Sequence, residues 1–266
     1  MSRTPGETAT TRPVEVPVVK QGSGVDTVLA TGGLRAVRAA LRRHPQRTVL
    51  AVLATAMTAW ASRARVADWL TDSLARRPSG WLARRFYRDP RPHFASFEET
   101  LAVLALAADD CLLEIGCGGG MLLERVLRDA GSAKAIDHSA EMVALTSERN
   151  AEAIAAGRLT VEQAEAERLP FGDGEFTAAA LTNVFFFLYE PERVLDELHR
   201  VLASGGRLAI HTDAPGLPPW MAPITRRMRF YDDAQLVQLL VAGRFSDATV
   251  TRTADGRGQL ATARRA

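Results

Sequence analysis

The stretch Leu112-Leu113-Glu114-Ile115-Gly116-Cys117-Gly118-Gly119-Gly120 decides the fold of this chain. It predicts a buried parallel strand that ends in a glycine loop, and Met121–Asp129 follows with the period of an amphipathic helix. Glycines allow the backbone to approach a ligand closely, and the N-terminus of the next helix presents unpaired N–H groups to that ligand. Strand, loop and helix together predict a ligand site in an α/β fold.

Two residues of this stretch indicate the kind of ligand. The dinucleotide fingerprint G-x-G-x-x-G requires glycine at position 121, where this chain has Met121. Glu114 lies inside the motif E-x-G-x-G-x-G, and an acid beside the loop disfavours a pyrophosphate and favours a ligand with positive charge. S-adenosylmethionine (SAM) carries a sulfonium and an ammonium group and no phosphate. We therefore expect SAM, and a nicotinamide cofactor is the weaker alternative.

Three more stretches extend the pattern. Ala133–Ser139 contains Asp137 at the end of a predicted second strand, where an acid can accept hydrogen bonds from both ribose hydroxyls. Ala164–Phe171 is followed by an Asp-Gly-Glu-Phe turn, and Glu190–Leu202 forms an amphipathic helix before a glycine pair. With four motifs in this order, residues 98–264 resemble the class I SAM-dependent methyltransferases, in particular the ubiquinone/menaquinone-methyltransferase-like branch.

The resemblance implies a fold and a set of cofactor contacts. The fold is a Rossmann-like α/β sheet of seven strands in the order 3-2-1-4-5-7-6, with the last strand antiparallel, flanked by helices and preceded by an N-terminal helical extension. The implied SAM-binding residues are Glu114, Gly116, Cys117, Gly118, Asp137, His138, Met142, Glu165, Ala166 and Asn183.

Hydrophobic periodicity predicts the elements around these motifs. The predicted helices are Glu98–Ala108, Met121–Asp129, Ala140–Ala156, Pro191–Leu202 and Asp232–Ala242. The predicted strands are Cys111–Ile115, Lys134–Asp137, Leu159–Gln163, Phe176–Asn183, Arg207–Thr212, Ala248–Arg252 and Gln259–Thr262.

Composition narrows the class of protein. The chain has 266 residues, 47% of them hydrophobic and 24% charged, as in ordinary globular proteins. Two cysteines, Cys111 and Cys117, exclude a disulfide framework and lack the spacing of a zinc site, so no metal is predicted. A reducing cytoplasm is the expected location.

Composition, periodicity and charge divide the chain into three predicted parts: a disordered tail over residues 1–26, an Arg-rich helical extension or lid over 27–96, and a SAM-binding domain over 97–266. Thirteen arginines and three aspartates lie between Thr31 and Pro92. This arm can dock on the acidic body, attract an anionic substrate or contact an anionic membrane, and docking is favoured. No RNA-binding module accompanies it, so nucleic acid is not an expected partner.

Two questions about the arm stay open at this stage. The apolar stretch Val49–Ala61 has thirteen residues, fewer than the roughly 20 that span a bilayer, so stable membrane insertion is not expected. The same stretch can pack within the chain or against a second copy, which leaves a homodimer open.

Aromatic residues in the variable segments suggest the acceptor. Trp60, Trp69, Trp81 and Trp220 all fall in segments predicted to cover the site, which favours a hydrophobic small molecule methylated on O, C or N. His211 and Tyr189 are the predicted catalytic residues, and His93, His138 and Asp213 are further candidates for a base. A SAM-fold protein that does not methylate, such as a regulatory module or a cyclase, remains the alternative.

Overall fold

The structure is a computed structural model that describes residues 80–216, 218, 221, 225 and 227–266. The predicted tail, most of the Arg-rich arm, Val49–Ala61, Trp60, Trp69 and Trp220 lie outside these residues. The described helices are α1 (Gly80–Arg88), α2 (Phe94–Leu104), α3 (Met121–Asp129), α4 (Ala140–Arg149), α5 (Ala151–Ala155), α6 (Pro191–Val201) and α7 (Asp233–Ala242), with 3-10 turns at Arg91–His93 and Phe185–Phe187. The strands are β1 (Cys111–Ile115), β2 (Ser132–Asp137), β3 (Leu159–Gln163), β4 (Phe176–Thr182), β5 (Leu202–Asp213), β6 (Phe245–Arg252) and β7 (Gly258–Arg265).

The seven strands form one sheet in the order β3-β2-β1-β4-β5-β7-β6. Strands β1 to β5 run parallel, and β7 pairs antiparallel with both β5 and β6. This confirms the predicted fold class and strand order. Apolar residues fill both faces of the sheet, and Leu112, Leu113 and Ala180 are completely buried, as expected for central parallel strands.

The register brings the motif-bearing strand ends to one edge of the sheet. Ile115 of β1 pairs with Ile136 of β2 and with Leu181 of β4. Thr182 of β4 pairs with His211 of β5. Because ligands of open α/β sheets bind beyond the carboxyl ends of the strands, this edge is where a site is expected.

Two helices differ from their predicted bounds by more than one residue. Helix α2 begins four residues before Glu98 and ends at Leu104, because Ala105 adopts a left-handed conformation at φ 44° that closes the last turn. The helix predicted over 140–156 breaks at Asn150 into α4 and α5. Asn150 donates from Nδ2 to the carbonyl oxygens of Gly120 and Thr146, so its side chain is used to fasten the glycine loop to α4.

The helices that the structure describes are all too short or too polar to cross a bilayer.

Candidate cofactor and acceptor site

A cavity of about 360 Å³ opens at the carboxyl edge of the sheet. Its volume is in the range of small-molecule sites. The glycine loop, Asp137 and Ala164–Glu167 line one side. The other side is apolar and aromatic, with three polar residues among its members: Phe86, Tyr87, His93, Phe97, Asn183, Val184, Phe186, Phe187, Leu188, Tyr189, Asp213, Met221 and Met228.

The glycine loop between β1 and α3 fits closely against its neighbours. Gly116 has φ +74°, and a Cβ there would lie 2.4 Å from Cγ2 of Val184. A Cβ on Gly119 would lie 2.1 Å from the backbone oxygen of Tyr87. Helix α4 braces the same loop, since Thr146 Oγ1 donates to the Gly118 oxygen at 2.9 Å and Arg149 Nε donates to the Gly119 oxygen at 2.7 Å. These neighbours therefore hold the loop in a single backbone path.

Asp137 holds the glycine loop from the end of β2. Its Oδ2 accepts from the Gly118 amide at 3.0 Å, and its Oδ1 accepts from the Ser139 amide at 2.9 Å. The residue is 6% exposed and lines the cavity. Burial raises the pKa of its carboxyl, and the two amide hydrogen bonds oppose that shift. Each oxygen keeps a further lone pair for a ligand hydroxyl.

Glu114 is a buried acid without a full set of partners. It is 3% exposed, and its Oε2 has no hydrogen-bond partner among the residues that the structure describes. Burial, and then the charge of Asp137, raises the pKa of Glu114 well above its ordinary value. Burying a carboxylate with an unpaired oxygen is unfavourable, so a cationic ligand in the cavity would stabilise the charged form of Glu114.

The charges on the cavity wall are of one sign. The acids Glu114, Asp137, Glu165, Glu167 and Asp213 line it, and its basic groups among the described residues are the imidazoles of His93 and His138. No lysine or arginine lines it within the part of the chain that the structure describes. A wall of this kind favours a cation and disfavours a phosphate.

Helix α1 covers the glycine loop. The Tyr87 ring lies against Gly118, where a Cβ would meet its Cδ1 at 3.2 Å. Burial, and then the Asp137 charge, raises the pKa of the Tyr87 phenol above its ordinary value. Arg84 and Arg88 donate to the Glu148 carboxylate of α4 at 2.7 and 3.0 Å. These contacts attach α1 to the body beside the predicted cofactor loop.

A polar seam joins α2 to the ends of β4 and β5. Asn183, with φ +60°, follows β4 directly, and its Nδ2 lies 3.0 Å from Ser96 Oγ and 2.8 Å from His93 Nδ1. Its Oδ1 lies 3.1 Å from His211 Nδ1. The His211 Nε2 in turn lies 3.2 Å from Glu99 Oε2. Burial lowers the pKa of both histidines.

The structure brings most of the predicted site residues to one cavity. Nine of the ten predicted cofactor residues line it. The tenth, Met142 of α4, does not line it, because this residue is fully buried in the core. Tyr189 lines the cavity and is 45% exposed. His211 is 6% exposed and lies behind Asn183, and His93 lines the wall in front of it. The catalytic roles of Tyr189 and His211 stay predictions.

Sequence reasoning overlooked the α2 residues of the seam. Ser96 and Thr100 are buried polar residues on the face of α2 that meets β4. Thr100 Oγ1 lies 3.3 Å from Thr182 Oγ1, and Glu99 reaches His211. Polar residues spaced three and four apart in a helix with apolar neighbours were the available signal. The predicted helix began too late to include Ser96.

Comparison with known proteins agrees with this geometry. Residues 113–210 match the family described as "Methyltransferase domain". The ubiquinone/menaquinone biosynthesis C-methyltransferase of Geobacter sp. (strain M21) is 36% identical over 84 residues, which is 31% of this chain and 36% of that protein. A crystal structure of geranyl diphosphate C-methyltransferase from Streptomyces coelicolor A3(2) has a TM-score of 0.59 at 18% identity, covering 73% of this chain and 89% of that one. The cyclase SpnF has a TM-score of 0.54 at 21% identity, covering 71% and 83%.

The strand order is that of a Rossmann-like fold, and residues 113–210 match a methyltransferase domain. The curated relatives include a ubiquinone/menaquinone biosynthesis C-methyltransferase and a demethylmenaquinone methyltransferase, each matched over less than half of this chain. The resemblance predicted from the four motifs is confirmed, and so is SAM as the cofactor of the family. The chain spans roughly a third to a half of the length of the first curated relatives that it matches.

Proposed function

We propose that this protein transfers a methyl group from SAM to a hydrophobic small molecule. The observation that carries the proposal is the buried Glu114 carboxyl beside the glycine loop, in a cavity wall rich in acids. One oxygen of this carboxyl lacks a partner in the described part of the chain. A sulfonium with an ammonium group is the ligand whose charge matches that wall. The same wall disfavours the pyrophosphate of a nicotinamide cofactor.

The residues present fit SAM, and each has a distinct contribution. Asp137 would hold the ribose hydroxyls through its remaining lone pairs. Glu114 would face the positive end of the methionine part. Gly116, Gly118 and Gly119 line the cavity without side chains of their own, which leaves room for the cofactor beside the loop. When bound, SAM supplies an electrophilic methyl group on its sulfonium.

The acceptor class follows from the other side of the cavity. Phe86, Phe97, Phe186, Phe187 and Tyr189 offer large apolar surfaces, which suit a ring or an isoprenoid chain. The name of the Geobacter relative, a ubiquinone/menaquinone biosynthesis C-methyltransferase, points in the same direction. We propose such an acceptor for the cytoplasmic metabolism of a bacterium, with O, C and N all open as the methylated atom.

Alignment and exclusion of water do much of the work in a methyl transfer of this kind. Helix α1 lies against the glycine loop through Tyr87, and this cover would limit the access of solvent to the cofactor side. The 3-10 turn Phe185–Phe187 presents two rings to the cavity at the end of β4, where the acceptor would lie. These elements would orient the acceptor toward the methyl group.

Calorimetric titration with SAM, its demethylated product S-adenosylhomocysteine (SAH), and NADH tests the donor. We expect micromolar binding of SAM and SAH and none of NADH. Incubation with SAM and a panel of hydrophobic acceptors, read by mass spectrometry, then tests transfer. Binding of NADH in place of SAM would refute the proposal. Binding of SAM with no methylated product from any acceptor would favour the alternative of a SAM-fold protein that does not methylate.

A further inference from the structure

The seam between α2 and β4 determines which nitrogen of His93 carries a proton. Ser96 Oγ donates its single hydrogen to the backbone oxygen of His93 at 2.7 Å. It must therefore accept a hydrogen bond from Asn183, 3.0 Å away. The amide atom that faces Ser96 is consequently Nδ2, and the carbonyl Oδ1 faces His211. The nitrogen and oxygen of this amide are therefore assigned from the atoms that donate to them and accept from them, because the two orientations of an amide have nearly the same shape.

The second hydrogen of the same Nδ2 points to His93. The distance from Nδ2 to His93 Nδ1 is 2.8 Å, a normal hydrogen bond. Nδ1 must be the acceptor, because a proton on it would face the amide hydrogen. A neutral His93 therefore carries its proton on Nε2. Burial, and then the neighbouring His211, lowers the pKa of His93 and keeps the ring neutral near pH 7.

We propose that His93 is a specificity residue that donates an Nε2–H hydrogen bond to an oxygen atom of the acceptor. His93 lines the cavity, and Nδ1 is engaged by Asn183, so Nε2 is the nitrogen left to serve a ligand. In this tautomer Nε2 has no lone pair, so His93 selects for oxygen and does not remove a proton. The position of the acceptor in this inference rests on the proposed function, whereas the tautomer of His93 does not.

His211 and Glu99 act behind this donor as positioning residues. Asn183 Oδ1 accepts from His211 Nδ1 at 3.1 Å, and Glu99 Oε2 accepts from His211 Nε2 at 3.2 Å. The two contacts together require a proton on both ring nitrogens of His211. The Glu99 carboxylate is itself held, since its Oε1 accepts from the Ala254 amide at 3.1 Å. This chain prevents the Asn183 amide from turning over, and an amide cannot pass a proton onward as an imidazole does. The seam thus orients His93 and does not form a proton relay.

The expected acceptor is an apolar frame that bears a carbonyl-type or phenol-type oxygen. Neither lysine nor arginine lines the cavity in the described part of the chain, so a diphosphate or a carboxylate would meet acids without a counter-charge. An uncharged oxygen that accepts one hydrogen bond from His93 meets no such penalty.

The first test is the tautomer, measured without any ligand. Long-range proton–nitrogen NMR spectra of histidine-labelled protein distinguish a protonated Nε2 from a protonated Nδ1. The chain has five histidines, and loss of one set of signals in His93→Gln assigns the ring. We expect Nε2–H in the wild type and protonation of Nδ1 in Asn183→Asp, where a carboxylate replaces the amide donor. A wild-type Nδ1–H would overturn the inference.

The second test measures selection for oxygen. The probes are 1-tetralone and tetralin, which share a bicyclic frame and differ in one carbonyl, titrated in the presence of saturating SAH. We expect the ketone to bind about tenfold tighter, as a single hydrogen bond allows. His93→Leu should abolish the preference, and His93→Gln, with an N–H near the Nε2 position, should retain most of it. A wild type without the preference, or a His93→Leu variant that keeps it, would overturn the donor role. Failure of SAH to bind would count against the proposed function, whereas the NMR result would still decide the tautomer.

Discussion

Gly119→Ala tests whether α1 sits on the cofactor loop as the structure indicates. The new Cβ would lie 2.1 Å from the Tyr87 backbone oxygen, whereas ordinary van der Waals contact begins at 3.4 Å. The Tyr87 backbone would have to move by about 1.3 Å, because a close-packed interface has no space to absorb the methyl group. That movement would pull Arg88 away from α4, where its backbone oxygen accepts from Arg149 and its side chain reaches Glu148.

We expect Gly119→Ala to lower the free energy of unfolding by about 1–3 kcal/mol, the usual effect of overpacking. Gly172→Ala is the matched control, since its Cβ would meet nothing closer than a flexible Glu175 oxygen at 3.5 Å. Neither glycine has a left-handed φ, so both variants reduce the entropy of the unfolded chain equally and the difference isolates the clash.

Urea unfolding followed by circular dichroism measures this difference, and amide hydrogen exchange locates it. Exchange in α1 should accelerate in Gly119→Ala and stay unchanged in the control. SAH binding should weaken as well, because α1 and the loop no longer close together. Equal midpoints for the two variants, with unchanged exchange in α1, would refute the placement of this helix.

Three further predictions concern the charged residues of the site. Burial raises the pKa of Glu114 in the folded protein, so the folded state binds more protons than the unfolded state above the reference pKa of 4.5. The free energy of unfolding of the wild type should therefore fall as pH rises above that value, by up to about 1.4 kcal/mol per pH unit. Glu114→Gln should remove that part of the pH dependence and weaken SAM binding. If the urea midpoints of the variant change with pH between 4 and 8 as those of the wild type do, the prediction is wrong. Asp137→Ala should weaken SAM binding about 10- to 100-fold in calorimetry, through the lost charged hydrogen bonds, and wild-type affinity would exclude the ribose contact. Glu148→Ala removes the partner of Arg84 and Arg88. Because these groups are exposed, the variant should lose less than about 1 kcal/mol of the free energy of unfolding, and the difference should vanish at high salt. A larger loss that does not depend on salt would contradict a surface contact.

The fold and the cofactor side of the cavity were predictable from sequence because their signals are local. A buried strand, a glycine loop and a helix follow each other within residues 111–129, and Asp137 ends the next strand. Parallel pairing then brings such strand ends together, as Ile115 and Ile136 show. The family resemblance implied that Met142 contacts SAM, but whether a side chain of α4 faces the cavity or the core depends on how the helix packs.

The sequence by itself determined the glycine loop and the acids Glu114 and Asp137, and its four motifs carried the family resemblance that implied the strand order. The tertiary structure alone decided the acceptor side. His93 meets Asn183 across 90 positions of the chain, and Glu99 meets His211 across 112. No local pattern encodes such pairs, because they arise when α2 packs across the ends of β4 and β5. Because the packing buries these polar side chains, they must form hydrogen bonds with one another, and those hydrogen bonds determine the tautomer of His93.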